Sequence, residues 1–269
     1  FAQIGPMQAG GICLSAHTDV VPVEGQNWTR PPFQMTHDNT RIYGRGTTDM
    51  KGFLASALAM AETAGRTKLT APLSLVISYD EEVGCVGIRQ MMPEVQAYLM
   101  QHRAVIVGEP TLMQVATGHK GKTALKVSCH GQSGHSALAP DYMNAIHVAA
   151  SFVQAMRKIQ DRLAAGPQDN AFTVPYSTVH VGKINGGLAL NIVPDLVELE
   201  VEYRHLTQTP SADIQTMIEK AAREVETAFG PSAKITIAAV NSYPGLETPQ
   251  EDPVVSWAQT LVPDQTLTK

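Results

Sequence analysis

Acidic residues follow three apolar stretches of this sequence, and they are the side chains most able to do chemistry. The junctions are residues 11–15 leading into Ala16-His17-Thr18-Asp19, residues 73–79 leading into Asp80-Glu81-Glu82, and residues 104–107 leading into Gly108-Glu109. Adjacent carboxylates repel one another unless positive charge lies among them. Because imidazole and carboxylate groups are common ligands of divalent metals, the pattern predicts a metal site.

The three apolar stretches have the composition of strands that are buried on both faces of a parallel sheet. In open α/β sheets, ligands bind at the carboxyl ends of the strands, so we expect the three acidic junctions to converge. Any one of these residues taken alone is more often a turn or cap residue than a metal ligand. Their joint occurrence, each after a stretch that must be buried, carries the metal prediction.

The spacing of the acids indicates a division of work between them. His17 and Asp19 are two residues apart and point the same way at a strand end, so one can bind metal while the other holds the imidazole. Glu81 and Glu82 are neighbours and face opposite ways, which favours one as a metal ligand and the other as a base for bound water. Asp49, at the start of a predicted helix, is free to bridge two metals.

Glu109, at the end of the neighbouring strand, completes an oxygen-rich set that contains one imidazole and no cysteine. Such a set can bind Zn, Co or Mn. A pair of these ions polarises a carbonyl group and lowers the pKa of a bound water. The residues therefore point to metal-assisted hydrolysis.

Composition excludes several classes of function. The chain has 269 residues, 43% of them hydrophobic, a formal net charge of −5 and a pI of about 6.0. Without a run of Lys or Arg, it is not expected to bind nucleic acid or an anionic membrane, and it has no apolar run of the roughly 20 residues that span a bilayer. Three widely spaced cysteines without a CxxC motif indicate inert thiols and a cytoplasmic location.

Two patterns of elements are expected along the chain. The first part of the chain alternates strand, helix, strand, helix, strand, with helices expected at 50–64 and 88–100. This order predicts an α/β catalytic domain built on a doubly wound, mainly parallel sheet. The later order is β-α-β-β-α-β, which predicts an inserted ferredoxin-like α+β domain. Its elements are expected at residues 123–130, 144–163, 177–184, 193–203, 213–229 and 233–240. We assign 1–117 and 241–269 to the metal-binding catalytic domain and 118–240 to a lid and dimerisation domain.

Four ordered motifs resemble those of the M20 metallopeptidase family. They are Ser15-Ala16-His17-Thr18-Asp19-Val20-Val21-Pro22, Gly44-Arg45-Gly46-Thr47-Thr48-Asp49-Met50-Lys51-Gly52, Asp80-Glu81-Glu82 and Gly108-Glu109-Pro110-Thr111. Further motifs are most similar to the acetylornithine deacetylase branch of that family. These are Gly118-His119-Lys120-Gly121, Gln132-Ser133-Gly134-His135-Ser136, Ala171-Phe172-Thr173-Val174-Pro175-Tyr176 and Tyr243-Pro244-Gly245-Leu246-Glu247.

The resemblance implies specific roles at two zinc ions. His17, Asp49 and Glu109 would bind one ion, Asp49 would bridge, and Glu82 would bind the other. Asp19 would orient His17, and Glu81 would be the general base that takes a proton from the bridging water. The expected activity is removal of the acetyl group from N-acetylornithine in arginine biosynthesis, with a different N-acyl-amino-acid hydrolase or dipeptidase as the alternative.

The resemblance also implies a homodimer formed through the inserted domain. His135 would reach the active site of the partner subunit and stabilise the tetrahedral oxyanion there. Asn191 and Arg204 match positions that contact the carboxylate or carbonyl group of a small N-acyl amino acid substrate. A non-catalytic dimerising paralogue is the other alternative, and the presence of Glu81 argues against it, because a binding module needs no base.

The sequence departs from the family pattern in two places. A final His ligand to the second zinc is expected near the C-terminus, and no His follows His205. A helical stretch expected before the first strand is also missing. We expect that the chain is a fragment, truncated at both ends, and the alternative is a naturally degenerate paralogue.

Overall fold

The computed structural model describes residues 1–262 and 266–269. The chain divides into two compact units, the first formed by Phe1–Val115 with Glu251–Thr266 and the second by Ala116–Gln250 with Leu267–Lys269. The second unit continues past residue 240, where the sequence predicts the return to the first. The reason is that the final strand of its sheet runs on to Tyr243, and Leu246–Glu247 then pairs with Gly118–His119 of the same unit.

The first unit contains six strands, two α-helices and a short π-helical turn at Thr47–Lys51 before residue 115. The strands and α-helices are β1 (Ala2–Ile4), β2 (Ile12–His17), β3 (Thr36–His37), β4 (Ile42–Tyr43), α1 (Gly52–Gly65), β5 (Leu73–Ser78), α2 (Val86–Leu99) and β6 (Ala104–Val107). The main sheet has the order β1-β5-β2-β6, and β3 pairs separately with β4.

The main sheet is mixed. β2 lies between β5 and β6 and is parallel to both, whereas β1 is antiparallel to β5. Parallel pairing brings the carboxyl ends of β2, β5 and β6 to one edge, where the acidic residues follow. The doubly wound arrangement, with helices on both faces of the sheet, stays a prediction.

The core of the first unit explains why β2 and β5 lie at the centre of the sheet. Cys13 and Ala16 on β2 are buried, as are Leu75 and Val76 on β5. Burial on both faces requires a near-continuous apolar run, which is what the sequence has at these strands. The strand ends that carry the acids therefore stand on rigidly packed backbone.

The second unit contains the larger elements. β7 (Val115–Ala116) lies at its boundary and is followed by β8 (Gly118–His119), β9 (Gly121–His130), β10 (Gly134–His135), α3 (Ala145–Ala164), β11 (Thr178–Gly186), β12 (Ile192–Val193), β13 (Leu196–His205), α4 (Ser211–Phe229), β14 (Lys234–Tyr243) and β15 (Leu246–Glu247). Near the end of the chain are α5 (Pro253–Gln259), which belongs to the first unit, and β16 (Leu267–Thr268), which belongs to the second.

The main sheet of the second unit has the order β11-β13-β9-β14, with neighbours antiparallel throughout. Along the chain its elements follow the β-α-β-β-α-β order that the sequence predicts. One predicted strand is divided, because the strand expected at 193–203 becomes β12 and β13, with Pro194 between them. Proline cannot donate a ladder hydrogen bond, which explains the break.

Two amphipathic helices and the sheet form the core of the second unit. The buried residues of α3 include Val148, Phe152, Met156 and Ile159, which recur at helical spacing. The core continues through α4 and the inward positions of the four strands. The α3 helix begins after Asn144, whose Oδ1 accepts a hydrogen bond of 2.9 Å from the Ile146 amide. Within the described part of the chain, no helix is both long and apolar enough to cross a membrane.

Candidate metal centre

His17 is the centre of the site and is almost fully buried, with 2% of its surface exposed. It is the last residue of β2, and β5 holds it in register opposite Ser78. Its Nδ1 lies 3.1 Å from the main-chain oxygen of Asp19 and 3.3 Å from Asp19 Oδ1. Both oxygens are acceptors, so a neutral ring that carries its hydrogen on Nδ1 would donate to Asp19 and leave the Nε2 lone pair for a metal.

Asp19 is also held from the other side. Its Oδ2 accepts a hydrogen bond of 2.9 Å from the Glu82 amide. Burial would raise the pKa of Asp19, but the main-chain amides of Glu82 and Glu81 outweigh it and keep this pKa below its ordinary value. A carboxylate that stays ionised beside His17 is suited to fix the ring, and this role of Asp19 stays a prediction.

Asp49 lies in the short π-helical turn Thr47–Lys51 before α1, and its own backbone is not helical. The sequence predicts it in the first turn of a helix, whereas α1 begins at Gly52 and Asp49 has extended dihedral angles, φ −113° and ψ 100°. The turn starts at Gly46, whose φ of +80° favours glycine, and a Cβ there would lie 2.4 Å from Val20. This backbone brings Asp49 Oδ1 to 3.1 Å from His17 Nε2.

Glu81 and Glu82 lie in a tight loop between β5 and α2. The Gly84 and Cys85 amides both donate to the main-chain oxygen of Glu81 over 2.8 Å, and the Val86 amide donates to that of Asp80 over 2.9 Å. Asp80 adopts the left-handed region with φ 52°. The loop therefore turns sharply directly after the strand and presents both glutamates at its end.

Glu109 approaches the same imidazole from β6, with its Oε1 3.8 Å from His17 Nε2. Gly108, just before it, packs directly against α1. A Cβ at Gly108 would lie 2.0 Å from the Phe53 ring, so this close approach requires glycine.

The five predicted metal and base residues thus meet at one place. The nitrogen or oxygen atoms of His17, Asp49 and Glu82 lie within 4.8 Å of one another, and the same holds for His17, Glu81 and Glu109. Glu82 therefore lies near the imidazole together with Asp49, and Glu81 lies near it together with Glu109. Which of the two binds metal and which acts as base stays a prediction.

Crowding of negative charge changes the pKa values of the site. Burial, together with the charges of Asp49, Glu81 and Glu82, raises the pKa of Glu109 to about 7. Burial and the same kind of repulsion raise the pKa of Glu82. Burial lowers the pKa of His17, but the neighbouring carboxylates outweigh it and the net shift is upward. The upward pKa shifts of the two glutamates therefore come first from burial and then from neighbouring negative charge.

The residues present fit a divalent metal. They offer one imidazole nitrogen with its other nitrogen held by Asp19, and carboxylates from four further residues. This donor set suits borderline metals such as Zn, Co and Mn. A cation among these groups would relieve the repulsion that raises the pKa values.

His135 and Asn191 lie together within the second unit. β10 pairs with β12, which places His135 opposite Ile192, and the Ser136 amide donates to the Asn191 oxygen over 3.0 Å. His135 Nδ1 accepts a hydrogen bond of 3.1 Å from the Ala137 amide. The sequence gives no local signal for this pairing, and the roles of both residues stay predictions.

Arg204 lies elsewhere in the second unit. It is near the end of β13, opposite Lys122, and its Nε donates to Glu202 over 2.7 Å. His135 and Asn191 are near the start of that strand, and a strand of 10 residues is roughly 30 Å long. The substrate contact predicted for Arg204 is therefore remote from the other two within one unit, and it stays a prediction.

Two contacts at the site were not anticipated from the sequence. The His17 amide donates to Met50 Sδ over 3.3 Å, and Cys85 Sγ donates to Glu81 Oε1 over 3.3 Å. The sequence predicts the cysteines as inert thiols. The four-residue spacing of Glu81 and Cys85 predicts a contact only on a helix, and these residues precede α2 in a turn.

Comparison with known proteins connects this geometry to a family. The family model described as Peptidase family M20/M25/M40 matches residues 13–247. Acetylornithine deacetylases from Salmonella paratyphi B and Salmonella newport are each 34% identical over 259 residues, which is 96% of this chain. The chain spans 66% of the length of each of these relatives.

Solved structures share the fold at low identity. A tripeptidase from Staphylococcus aureus has a TM-score of 0.71 at 22% identity, covering 98% of this chain and 68% of that one. Human carnosine dipeptidase 1 has a TM-score of 0.73 at 15% identity, covering 99% of this chain and 70% of that one. The dipeptidase Dug1p from Saccharomyces cerevisiae has a TM-score of 0.74 at 15% identity, covering 99% and 69%. These likenesses concern the fold alone.

Proposed function

The chain belongs to peptidase family M20/M25/M40, and from this premise we propose that it acts in a metal-dependent amide hydrolase for N-acyl amino acids. The observation that carries the proposal is the convergence of His17 with two pairs of carboxylates, Asp49 with Glu82 and Glu81 with Glu109. A bound divalent cation explains why four acids from three loops surround a buried imidazole.

The metal ligands divide into two sets in this proposal. His17, Asp49 and Glu109 would hold one zinc ion, and Asp49 and Glu82 would supply two ligands of a second, with Co or Mn as substitutes. When bound, the ions polarise the amide carbonyl and make water more acidic. Asp19 supports the first set by keeping the His17 Nε2 lone pair available.

Glu81 moves the proton in this proposal. Its carboxylate takes one proton from the attacking water as the oxygen bonds to the amide carbon. It then gives this proton to the nitrogen as the carbon–nitrogen bond breaks, so that the products are a carboxylic acid and an amine. Giving up this proton regenerates the Glu81 carboxylate, and the carboxylic acid product then releases its own proton to water.

N-acetylornithine is the proposed substrate, which would place the protein in arginine biosynthesis and in the cytoplasm. The support is the 34% identity to acetylornithine deacetylases across almost the whole chain. A different N-acyl amino acid or a dipeptide is the alternative, since the metal-binding residues act on the amide and do not select the side chain.

The second unit is proposed as a lid and dimerisation domain. β11 is an edge strand of its sheet, and Leu188 and Leu190 just after it are 87% and 102% exposed. Apolar side chains at an open edge favour pairing with a second copy of the chain. In the proposed homodimer, His135 stabilises the oxyanion in the partner's site, and Asn191 and Arg204 contact the substrate.

The test is an acyl-release assay on zinc-loaded protein with N-acetylornithine, other N-acetyl amino acids and dipeptides. The expected result is preferential release of acetate from N-acetylornithine. Glu81→Gln should lower turnover by about 10²-fold or more while metal content stays constant, because the amide cannot accept the proton.

Asp80→Asn is the matched control, since it makes the same chemical change one residue away, at an exposed acid outside both carboxylate groups. It should retain turnover. If the protein prefers dipeptides, a dipeptide and not N-acetylornithine is its substrate. If Glu81→Gln keeps wild-type turnover, Glu81 is not the base. Absence of both metal binding and turnover in the wild-type protein would contradict the proposed function.

A further inference from the structure

The Cys85 thiol contacts the proposed base directly. Cys85 Sγ lies 3.3 Å from Glu81 Oε1. An ionised carboxylate can only accept, so the thiol is the donor. Burial, followed by the Glu81 carboxylate, raises the pKa of Cys85 to about 11, which is consistent with a thiol that keeps its hydrogen.

The loop holds the two side chains at this separation. The Cys85 amide donates to the Glu81 main-chain oxygen over 2.8 Å, which closes the turn between them. Arg89 then fixes the far side, because its Nε donates to the Cys85 oxygen over 3.2 Å and its Nη2 to the Gly84 oxygen over 2.9 Å. Cys85 has φ 57°, so its side chain leaves the backbone in a direction set by this turn.

The other cysteines have different surroundings. Cys13 is fully buried on β2, and Cys129 is fully buried in the core of the second unit. All three lie within the described residues, and Cys85 is the one whose thiol hydrogen bonds to a carboxylate. A purely space-filling thiol would not need to face the one acid that must move a proton.

We propose that Cys85 is a positioning residue for Glu81. Its S–H hydrogen bond holds Oε1, restricts rotation of the carboxylate, and leaves the second oxygen to accept the proton from water. This inference rests on the proposed function, because it takes Glu81 as the base. It adds no metal ligand, since Cys85 belongs to neither of the two metal-binding groups.

The direct test is the S–H stretching band in the infrared spectrum of the whole protein, recorded both without metal and with zinc. Cys85→Ala identifies the Cys85 component by its loss. In Glu81→Ala this component should move to higher frequency, because the thiol no longer donates to a carboxylate. The Cys129 component, identified by Cys129→Ala, should not move. A Cys85 component that is the same with and without Glu81 would overturn the proposal, whether or not the protein is active.

The kinetic test separates positioning from mere packing. Cys85→Ala should lower kcat by about tenfold, the worth of one hydrogen bond to a charged group, with KM and metal content unchanged. Cys85→Ser keeps a hydrogen-bond donor, so its kcat should be about threefold higher than that of Cys85→Ala. Equal kcat values for the Ala and Ser variants, or a loss explained by metal content, would contradict the positioning role.

The two proposals fail in distinguishable ways. If Glu81→Gln keeps wild-type turnover, the assignment of Glu81 as base fails, and the kinetic part of the Cys85 proposal fails with it. If Glu81→Gln is inactive while Cys85→Ala has wild-type kcat, only the positioning role of Cys85 fails.

Discussion

His17 Nε2 lies 3.1 Å from Asp49 Oδ1, although 32 residues separate the two along the chain. His17 ends a strand that is paired on both sides, and Asp49 lies in the turn before α1. Because different elements position the two groups, their contact is a property of the folded first unit. It also identifies Asp49 as the acid nearest to Nε2 of the imidazole.

Asp49→Asn should weaken zinc binding by roughly 10²-fold or more, since even the loss of an outer hydrogen-bond partner costs about 10- to 100-fold. The change keeps the shape of the side chain and removes its charge. Competition with a chromophoric chelator measures the affinity, and Asp80→Asn is the control of equal chemistry. Wild-type affinity in Asp49→Asn would exclude Asp49 as a ligand.

His135 provides a test of the proposed dimer. Mixing inactive His135→Ala with inactive Glu81→Ala should restore activity, because a heterodimer contains one site with an intact base and an intact partner histidine. With random exchange and one good site per heterodimer, we expect about a quarter of wild-type activity. Subunit exchange must be shown separately, for example by mass spectrometry of differently labelled subunits. If exchange occurs and no activity returns, His135 does not act across the interface.

Gly108→Ala should destabilise the first unit by about 1–3 kcal/mol, because the added methyl overlaps the Phe53 ring. Since Glu109 follows directly, zinc affinity should fall as well. Denaturant unfolding and metal competition measure the two effects. Gly65→Ala is the matched control, as a Cβ there meets no atom within 4 Å, and its stability should change by less than about 1 kcal/mol. Equal stability of the two variants would show that the loop before Glu109 can move away from α1.

Glu202 is expected to give the second unit a pH-dependent stability. It binds Lys122 over 2.9 Å and Arg204 over 2.7 Å. Burial opposes ionisation, but these two cations outweigh it and hold the pKa of Glu202 below its ordinary value of 4.5. A carboxyl group with a lowered folded-state pKa stabilises the protein above its unfolded pKa, and this contribution is lost as the pH falls through the folded value.

Glu202→Gln should therefore lower the urea midpoint at pH 7, and the difference from wild type should narrow as the pH falls below 4.5. Glu198→Gln is the control on the same strand, because the Glu198 pair with Lys126 is more exposed. It should change the midpoint less. A difference that is constant between pH 7 and acidic pH would rule out the charge of Glu202 as its origin.

Local patterns in the sequence were sufficient to predict the main elements. Apolar runs ending in acids predict β2, β5 and β6, and helical periodicity predicts α3 and α4, because side-chain spacing directly records which face is buried. The same patterns predict that the acidic strand ends meet, since parallel strands bring their carboxyl ends to one edge.

The tertiary structure decided what depends on long-range contacts and dihedral angles. It pairs Glu82 with Asp49 and Glu81 with Glu109 around His17, and it places the Cys85 thiol on Glu81. It also divides a predicted strand at Pro194, with Val193 in β12 and residues 196–203 in β13. Neighbouring residues in sequence can point to either side of a turn, and only the folded backbone selects one. Residue types therefore indicated a metal-binding hydrolase, whereas the partner of each side chain was set by packing between distant segments.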